Sequence, residues 1–174
     1  MNELIARCLE VSRDFAEQET VDMNLCDLLA EIATEFMQAG AVIRGNKGPD
    51  CRIRVRPLSL KRILVNLIDN AVRYGGGAPI DIEYTLGDDA IEIRVLDRGP
   101  GIRPEQREKI FDMFVTGRPE GTGLGLFLAR TAIRRCGGEI TALAREGGGA
   151  DLRIALPVSD APTPPNAPSP TTHA

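Results

Sequence analysis

Apolar residues recur every three or four positions in four stretches of the chain, the spacing that places side chains along one side of a helix. These stretches are residues 2–17, 25–36, 58–74 and 123–136. Asp22 or Asn24 is placed to cap the second helix, and Gly137 and Gly138 to end the fourth. The pattern therefore predicts four helices, of which the first has no evident partner within the chain.

Other stretches alternate between apolar and polar residues, as strands with one buried face do. Their apolar positions are Ile53 and Val55; Ile80, Ile82, Tyr84 and Leu86; Ile91, Ile93 and Val95; Leu152, Ile154 and Leu156. Ile140 and Leu143 indicate one more strand. The expected fold class is α+β: a two-layer sandwich whose mostly antiparallel sheet of about five strands carries helices on one face.

The length of 174 residues and the 43% apolar content suit one domain with two appendages. We expect the domain to span residues 21–157, and residues 1–20 to be a separate helical segment. Residues 158–174 are rich in Pro and contain little to bury, which predicts a disordered tail. The only histidine, His173, lies in that tail and is expected to be inert.

Composition narrows the function classes. The net charge is −4 and the sequence pI is about 5.1, without a basic run, which argues against a nucleic-acid surface. No apolar run approaches the roughly 18 residues of a membrane span, so we expect no direct membrane contact here. Cys8, Cys26, Cys51 and Cys136 form no CxxC pair and are expected to be reduced packing thiols of a cytoplasmic protein.

Asn66 and Asn70 are four residues apart on the predicted helix 58–74, so their amides stack at the edge of its apolar stripe. An amide oxygen is a hard neutral ligand that Mg²⁺ accepts while taking its other ligands from water and phosphate. Arg73 lies one turn further on and can reach the same phosphates. The alternative is that both asparagines are solvated helix residues.

Asp97 follows the strand of Ile91, Ile93 and Val95 with the parity of its buried positions, so its carboxylate points to the apolar face. A buried carboxylate needs a donor, and the exocyclic amine of adenine is a fitting one. Gly99 would let the backbone approach the base closely, as would Gly101. The alternative is an aspartate that satisfies the amides of its own turn.

The segment GTGLGL at 121–126 places three glycines before an apolar helix, which suits a phosphate cradle built from backbone N–H groups. It matches neither the P-loop nor the dinucleotide fingerprint, and its leucines argue against a flexible linker. Residues 115–120 precede it and could close over a nucleotide. Phe111 and Phe114 are expected to be core anchors of that region rather than stacking residues.

These motifs resemble those of one family. The segments NLIDNAVRYG, DRGPGI, FDMF and GTGLGLFLA, spread over residues 50–157, look like the N, G1, F and G2 boxes of sensor histidine kinases. The resemblance implies the ATP-binding fold shared with type II topoisomerase ATPase domains and related chaperones. Asn70 would bind Mg²⁺, Asn66 and Arg73 would act near the phosphates, and Tyr74 would flank the base.

The same resemblance implies that Asp97 hydrogen-bonds the adenine amine. It implies a base pocket of Gly99, Gly101 and Ile102, and phosphate contacts from Gly121, Thr122, Gly123, Leu124, Gly125 and Leu126. Arg118 sits where members with a short lid often carry a lysine, and the residues acting in transfer would be Asn66, Arg73 and Arg118. Arg98, however, stands where the G1 box usually has Asn or Asp.

No box with a phosphoacceptor histidine is present, and residues 2–17 resemble the end of the dimerisation hairpin that carries it. The expected function is therefore to position Mg-ATP for γ-phosphate transfer to a histidine on a dimerisation domain outside this chain. The parent would be a homodimeric, membrane-anchored phosphoprotein that then serves a response regulator. Two alternatives stay open: a stand-alone serine kinase of the anti-sigma type, and a nucleotide-binding module without transfer activity.

Overall fold

The computed structural model of the protein describes residues 19–45, 51–117, 119 and 121–157. The predictions for residues 2–17 and 158–174, together with Cys8, Arg118 and His173, lie outside these ranges. Within them, no helix is long and apolar enough to cross a membrane.

Three of the predicted helices are confirmed. They are α1 (Leu25–Gln38), α2 (Pro57–Tyr74) and α3 (Gly125–Arg135). Asn24 is the residue that caps α1, because its side-chain oxygen accepts a hydrogen bond from the Cys26 amide at 2.9 Å. Pro57 begins α2, where a missing amide hydrogen costs nothing. Two short 3₁₀ turns, Pro104–Gln106 and Lys109–Phe111, lie between the last two helices.

The strands form two sheets. They are β1 (Val21–Asn24), β2 (Ile43–Gly45), β3 (Arg52–Val55), β4 (Ile80–Leu86), β5 (Ala90–Leu96), β6 (Glu139–Ala144) and β7 (Ala150–Pro157). The main sheet has five strands in the order β2-β4-β5-β7-β6, and all its pairs are antiparallel except β2 with β4. The expected α+β fold with a mostly antiparallel sheet is confirmed.

One strand assignment was wrong. The strand containing Ile53 and Val55 is β3, which pairs with β1 in a separate two-stranded ribbon, and β2 takes the fifth place in the main sheet. The reason is length. β2 has three residues, one of them Gly45, and is too short to show a period of two. β1 has only four residues, and its Asp22 and Asn24 resembled helix caps.

The helices cover one face of the main sheet and share a single core with it. The buried side of α2 consists of Ser59, Leu60, Ile63, Leu64, Leu67, Ile68 and Ala71. The sheet meets it with alternate residues of its strands, such as the aligned Val95 and Leu152 of neighbouring strands. This packing holds the carboxyl end of α2 beside the end of β5, where the predicted motifs converge.

The opposite face of the sheet carries charged side chains, but not all of them are exposed to solvent. Asp151 is only 1% exposed there, because Arg94 and Arg153 donate to its carboxylate at 2.6 and 2.8 Å. Burial by itself raises the pKa of Asp151, but the hydrogen bonds from the two arginines outweigh it, so the pKa lies below its usual value. The same hydrogen bond to Asp151 raises the pKa of Arg94.

The thiols within the described ranges are unbridged. Cys26 Sγ lies 3.0 Å from the Tyr84 hydroxyl, which links α1 to β4. Burial raises the pKa of Cys51 and of Cys136. These thiols therefore carry less thiolate at neutral pH than an exposed cysteine does, as suits side chains that pack.

Asp151→Asn should lower the free energy of unfolding by about 1–3 kcal/mol at pH 7, because it leaves two half-buried arginines without their charged acceptor. Since the folded-state pKa is lowered, the contribution of Asp151 is complete above its unfolded pKa of about 4 and disappears as the pH falls through the lower folded value. Urea titrations between pH 7 and pH 2 measure this. The exposed Asp88→Asn is the control, and equal stability of the two variants at pH 7 would contradict the prediction.

Candidate functional site

Asp97 comes directly after β5 and is buried at 6% exposure. Its Oδ1 accepts hydrogen bonds from the amides of Gly99 at 2.8 Å and Ala150 at 3.0 Å. Within the described part of the chain, no donor reaches the second carboxylate oxygen, Oδ2. The alternative of an aspartate that satisfies its own turn therefore holds for one oxygen, while the other has no described donor.

The glycines around Asp97 allow backbone segments to touch. A Cβ on Gly99 would lie 2.3 Å from the Tyr74 carbonyl oxygen. Gly101 has φ +75°, and its Cβ would lie 3.0 Å from the oxygen of Gly149. Gly149 has φ +107°, and a Cβ there would lie 2.1 Å from the Asp97 oxygen. The close approach that Gly99 and Gly101 permit is therefore to the protein's own backbone around the carboxylate.

The turn between β6 and β7 completes this arrangement and was not predicted as part of the site. Arg145 donates through Nη1 to the carbonyls of Leu96 at 3.1 Å and Asp97 at 3.2 Å. Its Nη2 donates to Asp81 on β4. The run of three glycines at 147–149 signals a tight turn, but nothing in the sequence says that the turn packs against Asp97.

Arg98, the departure from the resembled motif, pairs with Asp81 at 3.7 Å. Asp81 has the parity of Leu96 in the β4–β5 register, opposite to that of Val95 and the core. The charge of Arg98 is therefore balanced on the face of the sheet away from the Asp97 carboxylate.

Asn66 and Asn70 lie on the half-buried side of α2. The Asn66 Oδ1 is 3.6 Å from where a Cβ on Gly125 would stand, so this amide faces the first residue of α3. Across the described ranges, no hydrogen bond reaches either amide. Arg73 is more than half exposed and donates to Asp69 at 2.7 Å, so the structure gives it a carboxylate partner on its own helix.

The glycine segment at 121–126 leads into the amino end of α3. Gly123 has φ +66°, and a Cβ on it would lie 2.4 Å from the carbonyl carbon of Phe114. The Phe114 amide donates to the Gly123 oxygen at 3.1 Å, and Thr122 Oγ1 accepts from the Leu124 amide at 3.4 Å. Among the residues that the structure describes, no side chain caps α3, so its first-turn amides are available to an anion.

The two phenylalanines of FDMF differ. Phe111 is 2% exposed and belongs to the core, as expected, and Arg130 stacks over its ring at 5.3 Å. Phe114 is 54% exposed, so its prediction as a core anchor was wrong. Its backbone has φ +67°, the conformation in which it meets Gly123, and this turns the side chain outward.

A hydrogen bond connects the segment after Phe114 to α2. The Gly117 amide donates to the Tyr74 hydroxyl at 3.3 Å, and Val115, Thr116 and Gly117 are exposed. Ile102, from the turn after Asp97, packs against the core. Tyr74 thus touches the Asp97 turn with its carbonyl and the exposed segment with its hydroxyl.

This geometry suits binding rather than bond-making by the protein itself. Asp97 lies beside Gly75 at the carboxyl end of α2, and the amide of Asn66, on the same helix, faces the first residue of α3. A carboxylate oxygen at one end and a helix terminus at the other suit a ligand with a donor-bearing ring and an anion. Among the described residues, no three His, Cys, Asp or Glu side chains are grouped to hold a metal. Any cation there needs the ligand for most of its coordination.

Comparison with known proteins agrees with this picture. Residues 55–160 match the family model described as histidine kinase-, DNA gyrase B-, and HSP90-like ATPase. The sensor protein KdpD of Escherichia coli is 42% identical over 59% of this chain. The sensor histidine kinase GtrS of Pseudomonas aeruginosa is 36% identical over 87% of it. A sensor histidine kinase component of Mycobacterium tuberculosis is 36% identical over 82% of it.

The chain spans only 12% and 31% of the length of the first two relatives, but 85% of the third. Among solved structures, the catalytic domain of the histidine kinase ThkA superimposes with a TM-score of 0.75 at 29% identity, covering 81% of this chain and 97% of that one. The ATP-binding domain of PrrB from Mycobacterium tuberculosis gives 0.72 at 26% identity, covering 82% and 100%.

Gly149→Ala should cost about 3 kcal/mol or more of folding stability, because its Cβ would collide with the Asp97 backbone in addition to the strain of a positive φ. Gly148→Ala is the matched control: it has φ +100° but nothing within 4 Å of its Cβ, so only the strain of about 1–2 kcal/mol applies. Thermal and urea unfolding of the two variants measure the difference. Equal losses would show that the turn does not press on Asp97.

Proposed function

The chain belongs to the histidine kinase-, DNA gyrase B-, and HSP90-like ATPase family, and from this premise we propose that residues 21–157 form the ATP-binding catalytic domain of a two-component sensor histidine kinase. The observation that carries the proposal is the state of Asp97: it is buried, one oxygen is held by two amides, and the other faces no described donor. Such a half-satisfied carboxylate is suited to a purine amine.

The base end of ATP would be held around Asp97. Oδ2 would accept from the exocyclic amine of adenine, which explains why a buried carboxylate keeps one oxygen open. Gly99, Gly101 and Ile102 would line the pocket, and Tyr74 would flank the base. The firm anchoring of Oδ1 by Gly99 and Ala150 supports this role, because the acceptor is oriented before the ligand arrives.

The phosphates would lie at the uncapped start of α3, held by the loop residues Gly121, Thr122, Gly123, Leu124, Gly125 and Leu126. Asn66, which faces Gly125, is placed to join them. Arg73 would have to leave Asp69 to reach a phosphate, and the greater charge of the phosphates would favour that exchange. Arg118 would contribute a cation from the lid formed by residues 115–120.

Asn70 would be the Mg²⁺ ligand. Its amide has no partner in the described part of the chain and lies one turn from Asn66. A single neutral oxygen fits Mg²⁺, which keeps several waters and takes the rest of its ligands from phosphate. When bound, the ion would neutralise the charge on the transferring phosphoryl group.

The reaction would be transfer of the γ-phosphate to a histidine of a dimerisation domain outside this chain, followed by a response regulator. The parent would be a homodimeric, membrane-anchored sensor that holds this domain in the cytoplasm. The domain's own residues would bind and orient the nucleotide, and the nucleophile would come from the acceptor histidine. The serine-kinase and binding-module alternatives use the same pocket and differ in the acceptor.

Asp97→Asn should weaken ATP binding about 10- to 100-fold, or roughly 1–3 kcal/mol. Asparagine can keep an oxygen toward Gly99 and Ala150, and its NH₂ then opposes the adenine amine. Inosine triphosphate offers a carbonyl at that position, so it should lose far less affinity. Calorimetric titration with both nucleotides measures this, and equal losses for the two would remove Asp97 from base recognition.

The proposed activity predicts that the protein, given ATP labelled at the γ-phosphate, Mg²⁺ and a purified dimerisation domain of a sensor histidine kinase, places label on the acceptor. The label should be lost in acid, as phosphohistidine is. Asn70→Ala should abolish the labelling and the Mg²⁺ dependence of ATP binding, whereas the exposed Asp88→Asn should preserve both.

Acid-stable label on a serine-containing acceptor would instead support the anti-sigma-type kinase. Tight ATP binding with no label on any acceptor would support the binding module. Failure to bind ATP would overturn all three.

A further inference from the structure

We propose that Arg145 is a positioning residue for nucleotide selection: it fixes the backbone that carries Asp97 and thereby the discrimination of adenine from other purines. This inference rests on the proposed ATP-binding function. It concerns a residue outside the four motifs, on the turn between β6 and β7.

The guanidinium of Arg145 joins three parts of the sheet. Nη1 donates to two successive carbonyls at the end of β5, those of Leu96 and Asp97, at 3.1 and 3.2 Å. Nη2 donates to the Asp81 carboxylate on β4. The Arg145 side chain is 11% exposed and that of Asp81 18%, so the cluster is largely shielded from water. Shielding strengthens the hydrogen bonds and charge pairing within it.

The backbone of the same turn holds Asp97 from a second direction. Arg145 and Gly149 share a hydrogen bond of 3.1 Å, from the Arg145 amide to the Gly149 oxygen, so the arginine and the contact glycine belong to one closed turn. Gly149 packs on the Asp97 carbonyl, and the next residue, Ala150, donates to Asp97 Oδ1. The carbonyl and the carboxylate of Asp97 are thus both set by this turn.

Arginine is the side chain that this task requires. Its planar fork donates from two nitrogens in fixed directions, which lets it bind two carbonyls and a carboxylate at once. Lysine would keep the charge near Asp81 but concentrates its donors on one atom. A lysine variant therefore separates the effect of charge from that of geometry.

Loss of the Arg145 contacts should change the selectivity of the site between ATP and inosine triphosphate. The phosphate end of the site is proposed on α2 and α3, whereas the hydrogen bonds of Arg145 within the described ranges go to β4, the end of β5 and its own turn. Losing Arg145 should therefore leave phosphate binding largely in place. What should change is the position of Oδ2 relative to the adenine amine. ATP should then lose affinity while inosine triphosphate, which cannot use that contact, should lose little.

The test measures dissociation constants for ATP and inosine triphosphate with the whole chain and its Arg145→Lys variant. The wild type should prefer ATP, so its dissociation constant for inosine triphosphate divided by that for ATP should exceed one. In the variant this ratio should be lower by about 5-fold or more, the equivalent of one hydrogen bond. Asp81→Asn, which removes the negative charge opposite Nη2 but keeps the arginine, should reduce the ratio in the same direction by a smaller factor.

Arg94→Lys is the matched control, since Arg94 also pairs with an aspartate on this sheet but donates to Asp151 and Glu83 rather than to the Asp97 backbone. It should lower the unfolding temperature and leave the ratio unchanged. A ratio in Arg145→Lys equal to that of the wild type, or a loss matched by Arg94→Lys, would overturn the inference. If the wild type bound no ATP, the proposed function itself would fail, which is a different result.

Discussion

The site depends on how one carboxylate is held. Asp97 Oδ1 takes hydrogen bonds from both sides, from Gly99 in its own turn and from Ala150 at the start of β7. These hydrogen bonds satisfy one oxygen of the buried carboxylate and fix the direction in which the other oxygen, Oδ2, points. A carboxylate left without donors in that position would destabilise the fold, and one with all its donors supplied by protein would have nothing to offer a ligand.

Much of this was predictable because the pattern signals are local. The stripe of α2 and the alternation in β5 placed Asn66, Asn70 and Asp97 on the correct elements, and the strand parity foretold the burial of Asp97. Features that depend on contacts between distant parts of the chain could not be predicted from the sequence. The three-residue β2 is too short to show a period, and the four-residue β1 contains two residues that resembled helix caps. The contacts of Arg145 and Gly149 with Asp97 join residues about fifty positions apart.

The misplacement of Phe114 has the same origin. Its apolar side chain suggested burial, but the backbone conformation that lets it meet Gly123 directs the ring to solvent. Phe111, three residues earlier, is buried as its character predicts. In this segment the glycine of a neighbouring motif, rather than hydrophobicity, decides which phenylalanine enters the core. Arg73 shows a related limit, since the spacing on α2 gave its position but not its pairing with Asp69.

The last turn of α2 has a mechanical consequence. Its terminal tyrosine touches the turn after β5 through the main chain and the segment before α3 through the phenol. The first contact is a close approach of two backbones, whereas the second is an exposed hydrogen bond of 3.3 Å. The main chain and the phenol of this residue therefore serve different neighbours, so removing the hydroxyl alone would release Gly117 from this bond and leave the approach of Gly99 unchanged.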